Sequence, residues 1–206
     1  MKTAGAQEET VEGWREARRG RILSAATTLF ASRGFAEVQM DDVARLAGMG
    51  KPTLYRYFPS KAELFLAAFD DLLDGIDARL QEIADSGLPP RRQVADMVDA
   101  LVGGLADQIA TLPYLEGESP DLAGRWRSAY RRRRQQLLGR LQAVLDAGLT
   151  EGDFAGVDIE VMPALIMGMV RGGLTGSQAS QQRITDAIKT LLLNGLSART
   201  GEGSSR

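Results

Sequence analysis

The chain has 206 residues with a formal net charge of −2, 44% hydrophobic and 25% charged residues, and neither cysteine nor histidine. Those two absences remove disulfides, thiolate nucleophiles, the commonest general base and the commonest transition-metal ligand, so hydrolase triads of the usual kind and zinc sites are nearly excluded. The opening MKTAGAQEETVEG is polar and acidic with no apolar signal region, and no apolar run approaches the roughly 20 residues that span a bilayer, so a cytoplasmic protein with no membrane partner is expected.

The charge is unevenly spread. Between Trp14 and Lys61 nine Lys and Arg stand against four Asp and Glu, a balance of +5, which leaves −7 for the rest. A basic head on an acidic body is the asymmetry of a chain that meets phosphate at one end only.

Residues 1–13 have few apolar side chains and are expected to form a disordered arm. A helix follows from about Trp14 to Ser32, with Ile22, Ala26, Leu29 and Phe30 as its buried stripe and Gly34 as its end. Arg15, Arg18 and Arg19 at its start oppose the helix dipole. Two readings stand: contact with DNA backbone or the adjacent minor groove, or a solvated arm.

Met40 to Ala47 is expected to be a short helix with Val43, Leu46 and Ala47 on one face, closed by Gly48. Its N-cap, Gln39, is a poor one, and Asp41 and Asp42 compensate in part through the dipole. A second short helix runs from Lys51 to Phe58, with Pro52 in its first turn. Leu54 and Phe58 point inward at i, i+4. Lys51, Thr53, Tyr55, Arg56 and Tyr57 are left on the outer faces, with core packing as the other reading of Tyr55. Two cations, two phenols and a hydroxyl suit phosphates and base edges, so the pair reads as a helix-turn-helix whose second helix enters a DNA major groove.

Ser60–Glu63 has the form of a capping box that opens a helix to about Ala84, with Phe65, Phe69, Leu72, Ile76, Leu80 and Ile83 at helical spacing. Within it, Asp70-Asp71-Leu72-Leu73-Asp74 matches the DDxxD pattern that isoprenoid synthases use to hold magnesium and a diphosphate. No second acidic motif accompanies it, and a solvated stripe opposite the apolar face is the competing reading.

The next helix is expected from Pro90 to Leu112, with Val94, Met97, Val98, Leu101, Leu105 and Ile109 inward. Gly103-Gly104 in its middle marks close packing, a kink or a pocket wall. A loop over Pro113–Pro120 leads to Ser119 as N-cap of a helix ending near Gly148, with Leu122, Trp126, Tyr130, Leu137, Leu141 and Leu145 as its stripe. Arg131 to Arg134 cover every side of that helix, which favours a solvated or salt-bridged stretch over one anion site. Helices over about Ile159–Gly173 and Ser180–Leu196 close the fold, the first beginning late or kinked at Pro163.

From Arg21 to Phe65 the chain resembles the DNA-binding domain of the TetR family of transcriptional repressors. The resemblance rests on Ile22, Ala25, Phe30, Gly34-Phe35, Ala44, Ala47-Gly48, Thr53-Leu54-Tyr55, Tyr57-Phe58, Ser60-Lys61 and Leu64, over 45 residues without a gap. Gln39 and Gly50 depart from the Ser or Thr common in the family. The resemblance implies an all-α fold: a three-helix head over residues 14–60 joined by a long helix to a helical effector and dimerisation body over 61–198, with a disordered tail over 199–206.

It also implies a dimer on a pseudo-palindromic operator. DNA contacts carry over by position to Gln39, Arg45, Lys51, Pro52, Thr53, Tyr55, Arg56, Tyr57 and Lys61, with Lys61, Tyr57 and Thr53 on phosphates and Lys51 and Arg56 on guanine. The last two helices look like the family's dimerisation pair, with Leu165, Val170, Ile184, Ile188, Leu191 and Leu192 at the interface. A mostly apolar pocket is implied among Phe69, Met97, Leu101, Trp126, Tyr130, Met162, Ile166 and Met169, each equally readable as plain core, and a lipophilic effector would suit it. No cofactor or metal is called for. Two alternatives remain: a DNA-binding protein without an effector, and a magnesium-dependent prenyl diphosphate enzyme using Asp70, Asp71 and Asp74.

Overall fold

A computed structural model describes the backbone of residues 4–118 and 120–195, and the side chains of residues 13–106 and 120–195. Among the described residues there are eight helices and no strand: α1 Ala4–Glu37, α2 Met40–Leu46, α3 Lys51–Tyr57, α4 Lys61–Ala84, α5 Pro90–Glu118, α6 Pro120–Glu151, α7 Met162–Gly176 and α8 Gln181–Gly195. The fold is all-α, as the helical periodicity predicts.

The short helices lie where glycine and proline punctuate the sequence. Gly34 interrupts α1 with φ 77° and ψ 168°, a region essentially reserved for glycine, so the chain turns there before Phe35. Gly48 takes φ 68° just past α2, and Pro52 sits in the first turn of α3. Pro163 likewise falls in the first turn of α7, which begins late, at Met162.

Two boundaries differ from expectation. Helix α1 begins at Ala4, ten residues ahead of Trp14, because Ala4, Ala6, Gln7, Glu8 and Glu9 are good helix formers even without an apolar stripe. Helix α5 runs on through Pro113 to Glu118, in place of the loop that proline suggests. One proline removes one backbone donor at a cost of about 3 kcal/mol, which a long helix can absorb. Ser119, the side chain of Ile109 and the tail over 199–206 lie outside the described residues.

The helices fall into two compact units. The first takes α1, α2, α3, α4 as far as Leu72, and Thr111–Ala129; the second takes Leu73–Ala110 and the chain from Tyr130 onward. In the first, Ile22, Leu23, Ala26, Phe30, Val43, Leu54, Leu64 and Phe65 are essentially solvent-free. Phe65 is its centre: its ring meets Phe30 edge-on at 5.1 Å and Phe35 at 5.3 Å. Leu46, placed by spacing with Val43 and Ala47, is exposed; Met40, Val43, Ala44 and Ala47 form the buried face of α2.

In the second unit α5 packs closely on α4. A Cβ at Gly104 would stand 2.7 Å from the Ile76 side chain, so close packing is the role of that glycine. Gly173 does the same for α7 against Ile184 of α8, where a Cβ would stand at 2.6 Å. Arginines of α6 reach acids of α4: Arg140 grips Asp77 through two hydrogen bonds of 3.1 and 3.2 Å, and Arg133 pairs with Asp74 at 2.7 Å. The Asp77 hydrogen bond, opposed by partial burial and helped by the charges of Asp77 and Asp85, holds the Arg140 guanidinium more firmly protonated than usual.

Candidate nucleic-acid interface

Helix α3 is seven residues long and too short to hold itself. It is fixed by Leu54, which is fully buried, and by Phe58 at its C-cap. With those two inward, Lys51, Pro52, Tyr55 and Arg56 are exposed, and Thr53 and Tyr57 half-buried. Tyr55 retains 40% of its surface, so its ring faces outward and is not core.

The cations around α3 are not equally available. Lys51 is paired to Asp41 of α2 at 2.8 Å, and that hydrogen bond, then the carboxylate's charge, keeps its ammonium protonated above the ordinary lysine range. Arg45 binds Asp42 at 2.9 Å, and Arg33 approaches the same carboxylate at 3.5 Å. Arg56 is exposed and makes no ion pair among the described residues.

Lys61 has a further task that spacing along the chain does not announce. Its ammonium donates to the carbonyls of Phe35 at 2.8 Å and Ala36 at 3.1 Å and lies 4.5 Å from the centre of the Phe35 ring. It therefore fastens the start of α4 to the end of α1, as a cation near helix C-terminal carbonyls does. Glu63 donates its N–H to the Ser60 hydroxyl at 3.2 Å, one half of the expected capping box. Its carboxylate turns to Arg125 of α6 at 2.7 Å.

Neither helix of the pair has a side-chain N-cap. Gln39 caps α2 in an extended conformation, φ −103° and ψ 146°, without a side-chain hydrogen bond, and Gly50 precedes α3. Gln39→Ser is expected to raise stability by about 1 kcal/mol, because the hydroxyl reaches an otherwise unpaired N–H. Thermal unfolding should show a melting temperature higher by about 2–4 °C. An unchanged midpoint would mean that water already serves that donor.

The other predicted residues are dispersed. Of the expected interface set, Val170, Ile184, Ile188 and Leu192 are buried within the chain. Leu165 and Leu191 remain 52% and 68% exposed. Of the expected pocket set, the rings of Phe69 and Trp126 meet at 4.8 Å between centres, tilted by 32°, in the first unit. In the second, Met97, Leu101 and Ile166 are fully buried, and Tyr130, Met162 and Met169 partly so. Burial raises the Tyr130 phenol above its ordinary range, against the pull of Arg134 and Arg171.

A groove of about 430 Å³ opens elsewhere in the second unit, lined by Gln81 of α4, Asp85 just after it, Gln93 of α5, and Gln136, Arg140 and Ala143 of α6 among others. None of the eight expected pocket residues lines it. Amides and alanines make no apolar stripe, so sequence periodicity carries no signal for it. The Asp70-Asp71-Leu72-Leu73-Asp74 motif does not converge on a metal geometry. Asp74 is engaged by Arg133, and no cluster of three or more His, Cys, Asp or Glu among the described residues is placed to hold an ion. No described helix is long and apolar enough to cross a membrane.

Comparison with known proteins agrees with this geometry. Residues 22–68 match the family model of bacterial regulatory proteins, tetR family. The transcriptional activator FasR of Mycolicibacterium smegmatis is 41% identical over 76 residues, 35% of each chain. The transcriptional repressor KstR2 of Mycobacterium tuberculosis is 26% identical over 91% of this chain and 97% of its own. The solved structure of KstR2, described as a ketosteroid transcriptional regulator, superposes with a TM-score of 0.61 over 88% of this chain and 96% of that one, at 25% identity. FadR of Bacillus subtilis, solved in complex with stearoyl-CoA, has a TM-score of 0.63 at 19% identity over 85% of this chain and 98% of its own, which speaks to fold alone. Residues 22–68 thus form a head of the tetR family of bacterial regulatory proteins, and over most of its length the chain is similar to transcriptional regulators such as KstR2.

Proposed function

We propose that the chain is a repressor that binds a pseudo-palindromic operator as a homodimer through α3 and releases it when a lipophilic effector enters the body. The observation that carries this reading is the outward face of α3, where Pro52, Tyr55 and Arg56 stand exposed above a buried Leu54. One such helix makes few contacts, and a two-fold pair doubles them.

A second copy suits the exposed side of α7. Val161, Leu165, Gly168 and Gly172 follow one another at intervals of 4, 3 and 4 residues, all exposed, and a Cβ at Gly168 or Gly172 would meet nothing within 4 Å. The stripe is apolar or small along its length, and on α8 Ala187 and Leu191 are exposed as well. An effector of apolar character suits Met97, Leu101, Ile166 and their half-buried neighbours, which offer few hydrogen-bonding groups. The ketosteroid regulator among the similar structures points the same way. Release requires that the effector bind the DNA-incompetent state more tightly than the competent one.

The test is selection of bound duplexes from a random pool, with sedimentation of the same protein. Enrichment of a palindrome by a dimer supports the reading, and Leu165→Glu should return the protein to monomer. Salt-sensitive binding with no enriched sequence would overturn it. Steroids and long-chain acyl-CoA thioesters are then titrated against the complex. Failure of every apolar compound to release DNA would leave an effector-independent DNA-binding protein.

A further inference from the structure

We propose that α1, just ahead of its apolar core stripe, forms a second DNA-contacting element, a sequence-independent phosphate clamp made by Arg15 and Arg18. This rests on the DNA-binding role of α3 and adds to it a surface outside the helix-turn-helix. The buried stripe of α1 is Ile22, Leu23, Ala26, Leu29 and Phe30. Traced toward the N-terminus in steps of three and four, the same face passes through Arg19 and Arg18 to Arg15. These cations therefore extend the side that α1 turns to the helix-turn-helix, past the point where the apolar core ends.

Arg19 marks the transition. Its guanidinium lies 5.9 Å from the centre of the ring of Phe58, the C-cap of α3, and so ties this part of α1 to the recognition helix. Just before it, Arg18 lies 5.6 Å from the centre of the indole of Trp14, which is 67% exposed. An exposed tryptophan holding an arginine in place has no stabilising task in the core below it. It limits the rotamers of a cation on a rigid helix, which lowers the entropy cost of meeting a phosphate. The partner is fixed by charge and continuity. The surface is cationic, it adjoins the proposed groove-reading helix, and a duplex lying along α3 carries one phosphate charge per ~1.7 Å of axis. Glu16 stands between the two arginines in sequence but about 100° round the helix from Arg15, and the helix turns acidic further toward its start, at Glu8, Glu9 and Glu12, so the clamp is confined to Arg15 and Arg18.

The experiment uses the full chain and two duplexes, a selected operator and a scrambled one. Arg15→Ala/Arg18→Ala should weaken both by similar factors and flatten the dependence of log Kd on log salt by about 0.9 for each phosphate that the pair no longer neutralises. Arg15→Lys/Arg18→Lys should keep the slope. Trp14→Ala should weaken both duplexes with the slope retained. If the alanine pair leaves affinity and slope unchanged while the parent binds its operator, the clamp is wrong and the reading of α3 stands. If the parent shows no binding to any duplex, the reading of α3 fails first. Circular dichroism guards against unfolding, and a loss confined to the operator would assign Arg15 and Arg18 to base readout, against the proposal.

Discussion

Phe65→Ala is expected to cost about 3–5 kcal/mol, a large part of the roughly 5–15 kcal/mol that stabilises a typical domain. The ring is fully buried and contacts both Phe30 and Phe35. Truncation empties the meeting point of α1, α4 and the turn after Gly34. The same turn supplies the two carbonyls that hold Lys61, so loosening it also releases the start of α4. Hydrogen exchange is the decisive measurement. Amides of residues 22–30 and 43–58 should lose protection, whereas those of α7 and α8 should keep most of theirs. Uniform loss along the chain would mean that the two compact units unfold as one, and an unchanged melting temperature would mean that neighbouring side chains refill the space.

Arg56→Ala is expected to cost about 1–3 kcal/mol of operator affinity for each protomer bound, hence about 2–6 kcal/mol for a dimer. Arg56 is the exposed cation of α3 without an ion pair among the described residues, so its full fork of donors faces outward. Anisotropy titrations against the selected operator and a scrambled duplex separate the possible roles. Loss on the operator alone assigns base readout. Equal loss on both assigns a phosphate contact. No loss on either would remove Arg56 from the interface and shift attention to Tyr55 and Lys51.

The limits of α2 and α3 are legible in the sequence to within a residue, because Gly48, Pro52 and the Leu54–Phe58 pair each carry a local physical constraint. The start of α1 is not legible, since residues 4–13 are helical by propensity and lack the apolar period that advertises an amphipathic helix. The interface residues show the other weakness of periodicity. Leu165 and Val170 lie on one helix and are both apolar, yet one is exposed and the other buried, a difference that tertiary packing sets. Sequence spacing marks the acids of α2 only as dipole compensation. Their ion pairs to Lys51 and Arg45 depend in part on the crossing of two helices, which spacing within one helix cannot reveal.

Those pairs bear on how the protein is shared out along a chromosome. A cell offers on the order of 10⁶–10⁹ non-cognate sites for each cognate one. A head whose lysine and arginine were all unclaimed would dwell on any phosphate it met. Here Asp41 and Asp42 compete with every such phosphate for Lys51 and Arg45, each pair being worth at most about 1 kcal/mol at an exposed site. That handicap is small beside the base contacts of a cognate site and appreciable beside a chance encounter. On the proposed DNA-binding reading, the internal carboxylates thus shorten each stay on wrong DNA, and the base contacts alone set the preference for the right site.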